Sequence, residues 1–165
     1  MIFIPSDTEE YTDSINIKHR IHDTLRILYL KELMSNKLFN NTEMTNMGMK
    51  RFLHESLKFL ANLACSDGAL ILTSNFEIVG FGATLQSPPW NGNVLIGPDG
   101  FGHEGGNFHI KKYGTRHNSM VDYIGEKNDC FGFVFSHDGP IRGFYKVDKN
   151  TVYCWPDCSV SMFEF

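Results

Sequence analysis

Ala69-Leu70-Ile71-Leu72-Thr73-Ser74-Asn75-Phe76-Glu77-Ile78-Val79-Gly80-Phe81-Gly82-Ala83-Thr84-Leu85 is where the chain changes period. The first five residues form a short apolar run closed by Ser74-Asn75. Ile78 to Leu85 resumes the run, with glycines at 80 and 82. Two such runs either side of a turn read as a β-hairpin with both faces at least partly covered. Upstream, the period is helical. Met49, Phe52, Leu53, Leu57, Leu60 and Ala64 fall on one face and Lys50, Arg51, Glu55 and Lys58 on the other, up to a glycine stop at Ser66-Asp67-Gly68. An earlier helix is predicted from Ser14, with Ile17, Ile21, Leu25 and Leu28 on one face, broken by Asn36, Asn40 and Asn41. Residues 1–13 read as polar and irregular.

Downstream, residues 86–114 hold most of the Gly, Pro and Asn and show no period, so they read as a long loop. Glycines 97, 100, 102, 105 and 106 follow no phosphate-loop pattern and read as flexible. A short helix is predicted at about 117–125, then strands at 130–135, 141–147 and 151–155, with a turn at Asp138-Gly139-Pro140. The expected fold class is α/β: two N-terminal helices, then a mixed or largely antiparallel sheet with one inserted helix. The expected organisation is one compact unit, residues 1–45 packing as a segment and first helix on a domain at 46–165.

The 165 residues suffice for one buried core without staples. With 42% hydrophobic, 13% aromatic and 21% charged residues, the composition excludes a disordered, collagenous or disulfide-scaffold chain. A formal charge of -4 argues against a duplex nucleic-acid partner but leaves room for one nucleotide at a local site. Met1-Ile2-Phe3-Ile4-Pro5 lacks the basic and long apolar regions of a secretory signal. No window approaches the roughly 18 apolar residues of a membrane span. Cys65 and Cys130 sit in apolar runs and read as buried thiols, and Cys154 and Cys158 have no second pair to complete a zinc site. A cytoplasmic protein with reduced thiols, and no membrane partner, is the expectation.

Three polar clusters interrupt the apolar elements. Asp67-Gly68-Ala69, between helix and strand, offers a carboxylate for Mg²⁺ or a hydroxyl beside residues small enough for a ligand to approach; taken alone, it better suits a helix-ending turn with a solvated Asp. Gly114-Thr115-Arg116-His117-Asn118-Ser119 opens a helix with free N–H groups, hydroxyls, a guanidinium and an imidazole, which together suit a phosphate beyond what capping needs. Ser136-His137-Asp138-Gly139, at a strand's carboxyl end, suits either a ligand crevice or a turn. His103, His109, His117, His137, Asp67 and Asp138 show no metal-site spacing. Phe76, Trp90 and Phe101 are candidates to stack on a purine.

In their order, these clusters resemble the diadenylate cyclase (DAC, DisA N-terminal-like) domain family. That family shows Asp-Gly-Ala, then Gly-Thr-Arg-His-Arg, then Ser-Glu-Glu. The match spans about residues 47–155, and its specificity lies in the order of short motifs. The resemblance implies a mixed central sheet flanked by helices and a site for ATP or a cyclic dinucleotide. It puts Asp67 near ribose or metal and Thr115, Arg116 and His117 at phosphate, with Gly68, Ala69, Gly114, Ser119, Ser136 and His137 around them. Mg²⁺ or Mn²⁺ would come only with bound nucleotide, through Asp67, His117 and Asp138. Two departures stand out: Asn118 replaces the second arginine, and Ser136-His137-Asp138 keeps one carboxylate of two. Both reduce the charge that phosphoryl transfer requires, so the sequence is similar to DACNV-type nucleotide sensors more than to an active enzyme. The alternatives are an active diadenylate cyclase, with Asp67 and Asp138 catalytic and two sites meeting by self-association, and a degenerate fold that serves only as a protein-interaction module.

Overall fold

A computed structural model describes residues 1–6, 9–21, 43–99, 102, 103, 105–135 and 139–158. Its strands are β1 (Ile2–Ile4), β2 (Ile15–Asn16), β3 (His19–Arg20), β4 (Ala69–Thr73), β5 (Ile78–Leu85), β6 (Asn93–Ile96), β7 (Phe131–Val134), β8 (Arg142–Asp148) and β9 (Thr151–Trp155). The helices are α1 (Glu9–Thr12), α2 (Glu43–Ala64) and α3 (Thr115–Glu126), with a 3-10 turn at Ile110–Lys112. The strands form one nine-stranded sheet in the order β2-β5-β4-β1-β7-β8-β9-β6, with β3 also on β5. Among the described residues only β1/β4 and β6/β9 are parallel; the other pairs are antiparallel. The protein is a mixed α/β structure.

The pleat sorts the core into two layers. Ile2, Ile4, Ile71, Phe144, Val152 and Cys154 face Met120, Val121, Tyr123 and Ile124 of α3. Leu70, Leu72 and Ile78 face the other way, with Phe3, Phe59, Leu60 and Leu63 packed on them. The last turns of α2 therefore cover one face of the sheet and α3 the other. Arg51, Glu55 and Lys58 of α2 are exposed, as the helical period predicts.

The hairpin, α2, α3 and the last three strands stand where the sequence places them, within a few residues. Four expectations are corrected. Residues 2–4 are not irregular: β1 lies between β4 and β7, with Ile2 and Ile4 fully buried. Residues 15–20 form two short strands, β2 and β3, rather than a helix, because Ile15 and Ile17 alternate along the edge of β5; the rest of the expected first helix, 22–42, lies outside the described residues. Residues 86–113 contain β6, and two of their glycines are seats rather than hinges. A Cβ on Gly97 would lie 2.5 Å from the Trp155 ring, and one on Gly105 2.4 Å from Ile96. Cys65 is exposed, since it follows the last turn of α2; Cys130 and Cys154 are buried, and none of the four cysteines is in a disulfide. No helix among the described residues is long and apolar enough to cross a membrane.

Candidate functional site

At one end of the sheet, β4 and β1 begin and β5 and β7 finish, and the start of α3 lies over them. A cleft of about 520 Å³ opens there, a size ordinary for small-molecule sites. Asp67, Gly68 and Ala69 line it from one side and Thr115, Arg116 and Ser119 from another. Two of the three sequence clusters, 45 or more residues apart in the chain, thus meet in one cleft. Arg116 Nη2 lies 3.5 Å from Asp67 Oδ1, both side chains largely exposed.

The Asp67 turn is held by backbone contact. Gly68 has φ +99°, and a Cβ there would fall 2.6 Å from Gly82 C and 2.9 Å from Ala83 N. The turn is therefore pressed onto the β5 backbone at a point where no side chain fits. Gly82, at φ +66°, lies between Lys18 and Asp67: a Cβ there would be 3.5 Å from Lys18 Cβ and 3.6 Å from the Asp67 carbonyl oxygen.

The other wall begins at Gly114, the N-cap of α3, which supplies no side-chain cap. The helix start thus presents backbone N–H groups and a positive dipole end beside Thr115 and Arg116. Gly114 itself does not line the cleft. Asn118 turns back, its amide Nδ2 donating to the Tyr113 carbonyl at 2.8 Å and to that of Gly114 at 3.1 Å. It fastens the entry to the helix, a task an arginine in its place could not perform in the same way.

His117 is not among the cleft residues. Only 7% exposed, it packs near Tyr113 and Phe144 and accepts a hydrogen bond at Nε2 from Arg142 Nη1, 3.2 Å away. Burial first, and the Arg142 cation second, hold its pKa below the ordinary histidine value. A neutral imidazole in that position has its remaining proton on Nδ1. The structure therefore brings Arg116 to the cleft and turns its neighbour inward, as the helical 100° step between them requires.

Ser136, His137 and Asp138 lie outside the described residues, although Phe133, Val134 and Phe135 just before them line the cleft. Among the described residues no group of three or more His, Cys, Asp or Glu side chains could hold a metal ion. Of the proposed purine platforms, Phe76 packs edge-on against Phe3 at 5.5 Å, and Phe101 lies outside the described residues. Trp90 belongs to a different cleft of about 490 Å³, with Asp122, Glu126 and Lys149. Sequence reasoning missed Lys18, Thr84 and Phe135. Reading 15–21 as alternating would have put Lys18 on an edge strand segment beside the hairpin.

No family model, curated protein or solved structure matches this chain.

Proposed function

We propose that this cleft binds a nucleotide, ATP or a cyclic dinucleotide, and that the protein is a nucleotide sensor of diadenylate cyclase-like fold with impaired catalysis. The observation that carries the reading is the convergence of Asp67-Gly68-Ala69 with Thr115, Arg116 and Ser119 on one cleft. Hydroxyls, a planar guanidinium and an uncapped helix start there are donors suited to phosphate oxygens, and Asp67 is an acceptor suited to ribose hydroxyls. A Mg²⁺ or Mn²⁺ ion carried by the nucleotide phosphates would have Asp67 as its carboxylate in the cleft, the usual one-carboxylate arrangement for such ions.

Asn118 favours binding over catalysis. Its side chain is committed to the helix entry, so the motif contributes one cleft cation instead of two. Binding tolerates that loss, whereas the transition state of phosphoryl transfer depends on charge placed around it.

A thermal-shift panel of ATP, GTP, AMP and cyclic di-AMP, with and without Mg²⁺ or Mn²⁺, tests the reading. At a hundredfold excess over Kd, a true ligand adds about 2.7 kcal/mol to stability. For a chain of this length that corresponds to a rise of about 5–10 °C. A panel in which nothing moves the melting temperature refutes nucleotide binding. Incubating the protein with ATP and either metal, then chromatographing the products, separates sensor from cyclase: formation of cyclic di-AMP refutes the impaired-catalysis part.

A further inference from the structure

The cleft has two unlike ends, and the sheet registers give their separation. Ala83 of β5 pairs with Ala69 of β4, and Met1, just before β1, exchanges backbone hydrogen bonds of 2.7 and 2.8 Å with Phe133 of β7. From β5 to β7 the sheet crosses three strand spacings, about 14 Å. At the β5 end stand Lys18, Asp67 and Arg116, with Lys18 and Asp67 on either side of Gly82. At the β7 end stands Phe135, 41% exposed and one of two large apolar side chains so exposed among the described residues. Lys18 is exposed and makes no ion pair with the described carboxylates.

We infer that the ligand lies across the strands, with its phosphates between Lys18 and Arg116 and its base stacked on Phe135. This rests on the nucleotide reading and adds an orientation and two residues to it; with the phosphates at the β5 end, Asp67 would serve a phosphate-borne Mg²⁺ rather than the ribose. Lys18 comes from the β2–β3 segment, remote in sequence from both cleft motifs, and supplies the second cation that Asn118 does not. Two cations facing one carboxylate leave the β5 end with a net positive charge, which suits a polyphosphate tail. An exposed phenyl ring at the far end offers a face to any base, as aromatic platforms do for unpaired bases.

The test uses ATP or GTP, whichever the wild-type chain binds, and the matching monophosphate, by calorimetry. Four proteins are compared: wild type, K18Q, K18R and F135A, each first shown to melt as the wild type does without ligand. K18Q is expected to weaken the triphosphate about tenfold and the monophosphate less, the loss of one charged hydrogen bond, and K18R to restore it. F135A is expected to weaken both by about tenfold alike. Triphosphate affinity unchanged in K18Q, equal losses for both nucleotides in K18Q, or full affinity in F135A overturns the orientation alone. A wild-type chain that binds cyclic di-AMP but neither ATP nor GTP overturns the orientation alone, and one that binds none of the three overturns the nucleotide reading beneath it.

Discussion

Gly68→Ala is the substitution that asks most of the fold for the fewest atoms. The added Cβ would have to sit 2.6 Å from Gly82 C and 2.9 Å from both Ala83 N and Ala83 O. All three are backbone atoms of β5, so no rotamer change relieves the overlap. The residue would also keep φ near +99°, where a Cβ costs about 1–3 kcal/mol. Overpacking against a rigid neighbour adds about 1–3 kcal/mol more. A destabilisation of about 4 kcal/mol is expected, a large share of the roughly 5–15 kcal/mol a domain possesses. It should appear as a fall of about 8–16 °C in melting temperature and a lower urea midpoint at unchanged slope. Gly106→Ala is the control, since a Cβ there meets nothing within 4 Å and φ is not in the positive region; it should change stability by no more than about 1 kcal/mol. Should Gly68→Ala melt within about 2 °C of wild type, the account of the Asp67 turn as pressed onto β5 is wrong.

His117 is held neutral in the folded state, its pKa below the ordinary value of about 6.5. The unfolded chain then binds the proton more readily, so stability is full above pH 6.5 and falls as pH drops from there toward the folded-state pKa. Urea midpoints taken from pH 7.5 to 5 should decline in wild type and decline less in His117→Phe; equal slopes would count against a neutral buried imidazole. Asn118→Ala removes two hydrogen bonds to backbone carbonyls and should cost about 1 kcal/mol, read as a melting point about 2–4 °C lower. Arg116→Ala, at an exposed ion pair, should leave the melting temperature of the ligand-free protein unchanged and abolish the rise given by nucleotide. Retention of the full rise would remove Arg116 from the site. Gly125→Ala would bring a Cβ to 2.3 Å from the Trp90 ring, so Trp90 should leave its seat on α3 and its emission shift to the red; an unchanged spectrum would show that the ring is not fixed there.

The elements legible in the sequence were those with enough residues to display a period. The 22 residues of α2, the 12 of α3 and the β4–β5 hairpin carry repeated spacings, and each was placed within a few residues. The strands that the sequence does not show are two to four residues long, too few to count a period; β7, no longer than β6, is legible only because it lies in the apolar run Cys130–Phe135. Ile17 and Ile21 misled because a spacing of four is helical, whereas here Ile17 packs into one core layer and Ile21 into the other. Ile15, two residues before Ile17, distinguishes the cases, because a helix would turn it well away. The cleft was half legible. Asp67 and Arg116 announced themselves as charges at element junctions, but Lys18 and Phe135 reach the site through strand pairings far apart in the chain, which no local pattern encodes. The inward turn of His117 was readable in principle, since Met120, Val121 and Ile124 lie three, four and seven residues along the same helix face.

β1 has three residues, yet among the described strands it alone touches both β4 and β7. Take it away and the sheet parts into two blocks, β2-β3-β5-β4 and β7-β8-β9-β6, each with its own internal hydrogen bonding. Met1 and Phe133, which meet at this join, are 132 positions apart in the chain. Closing the join confines nearly the whole polypeptide for a handful of hydrogen bonds, so it belongs late in folding, after each block has formed from nearer contacts. The two blocks should accordingly exchange amide hydrogens as separate cooperative units, with the join opening first. The cleft lies across that same join, so whatever fills it from Asp67 to Phe135 acts as a rivet between blocks that the backbone fastens only by a keystone.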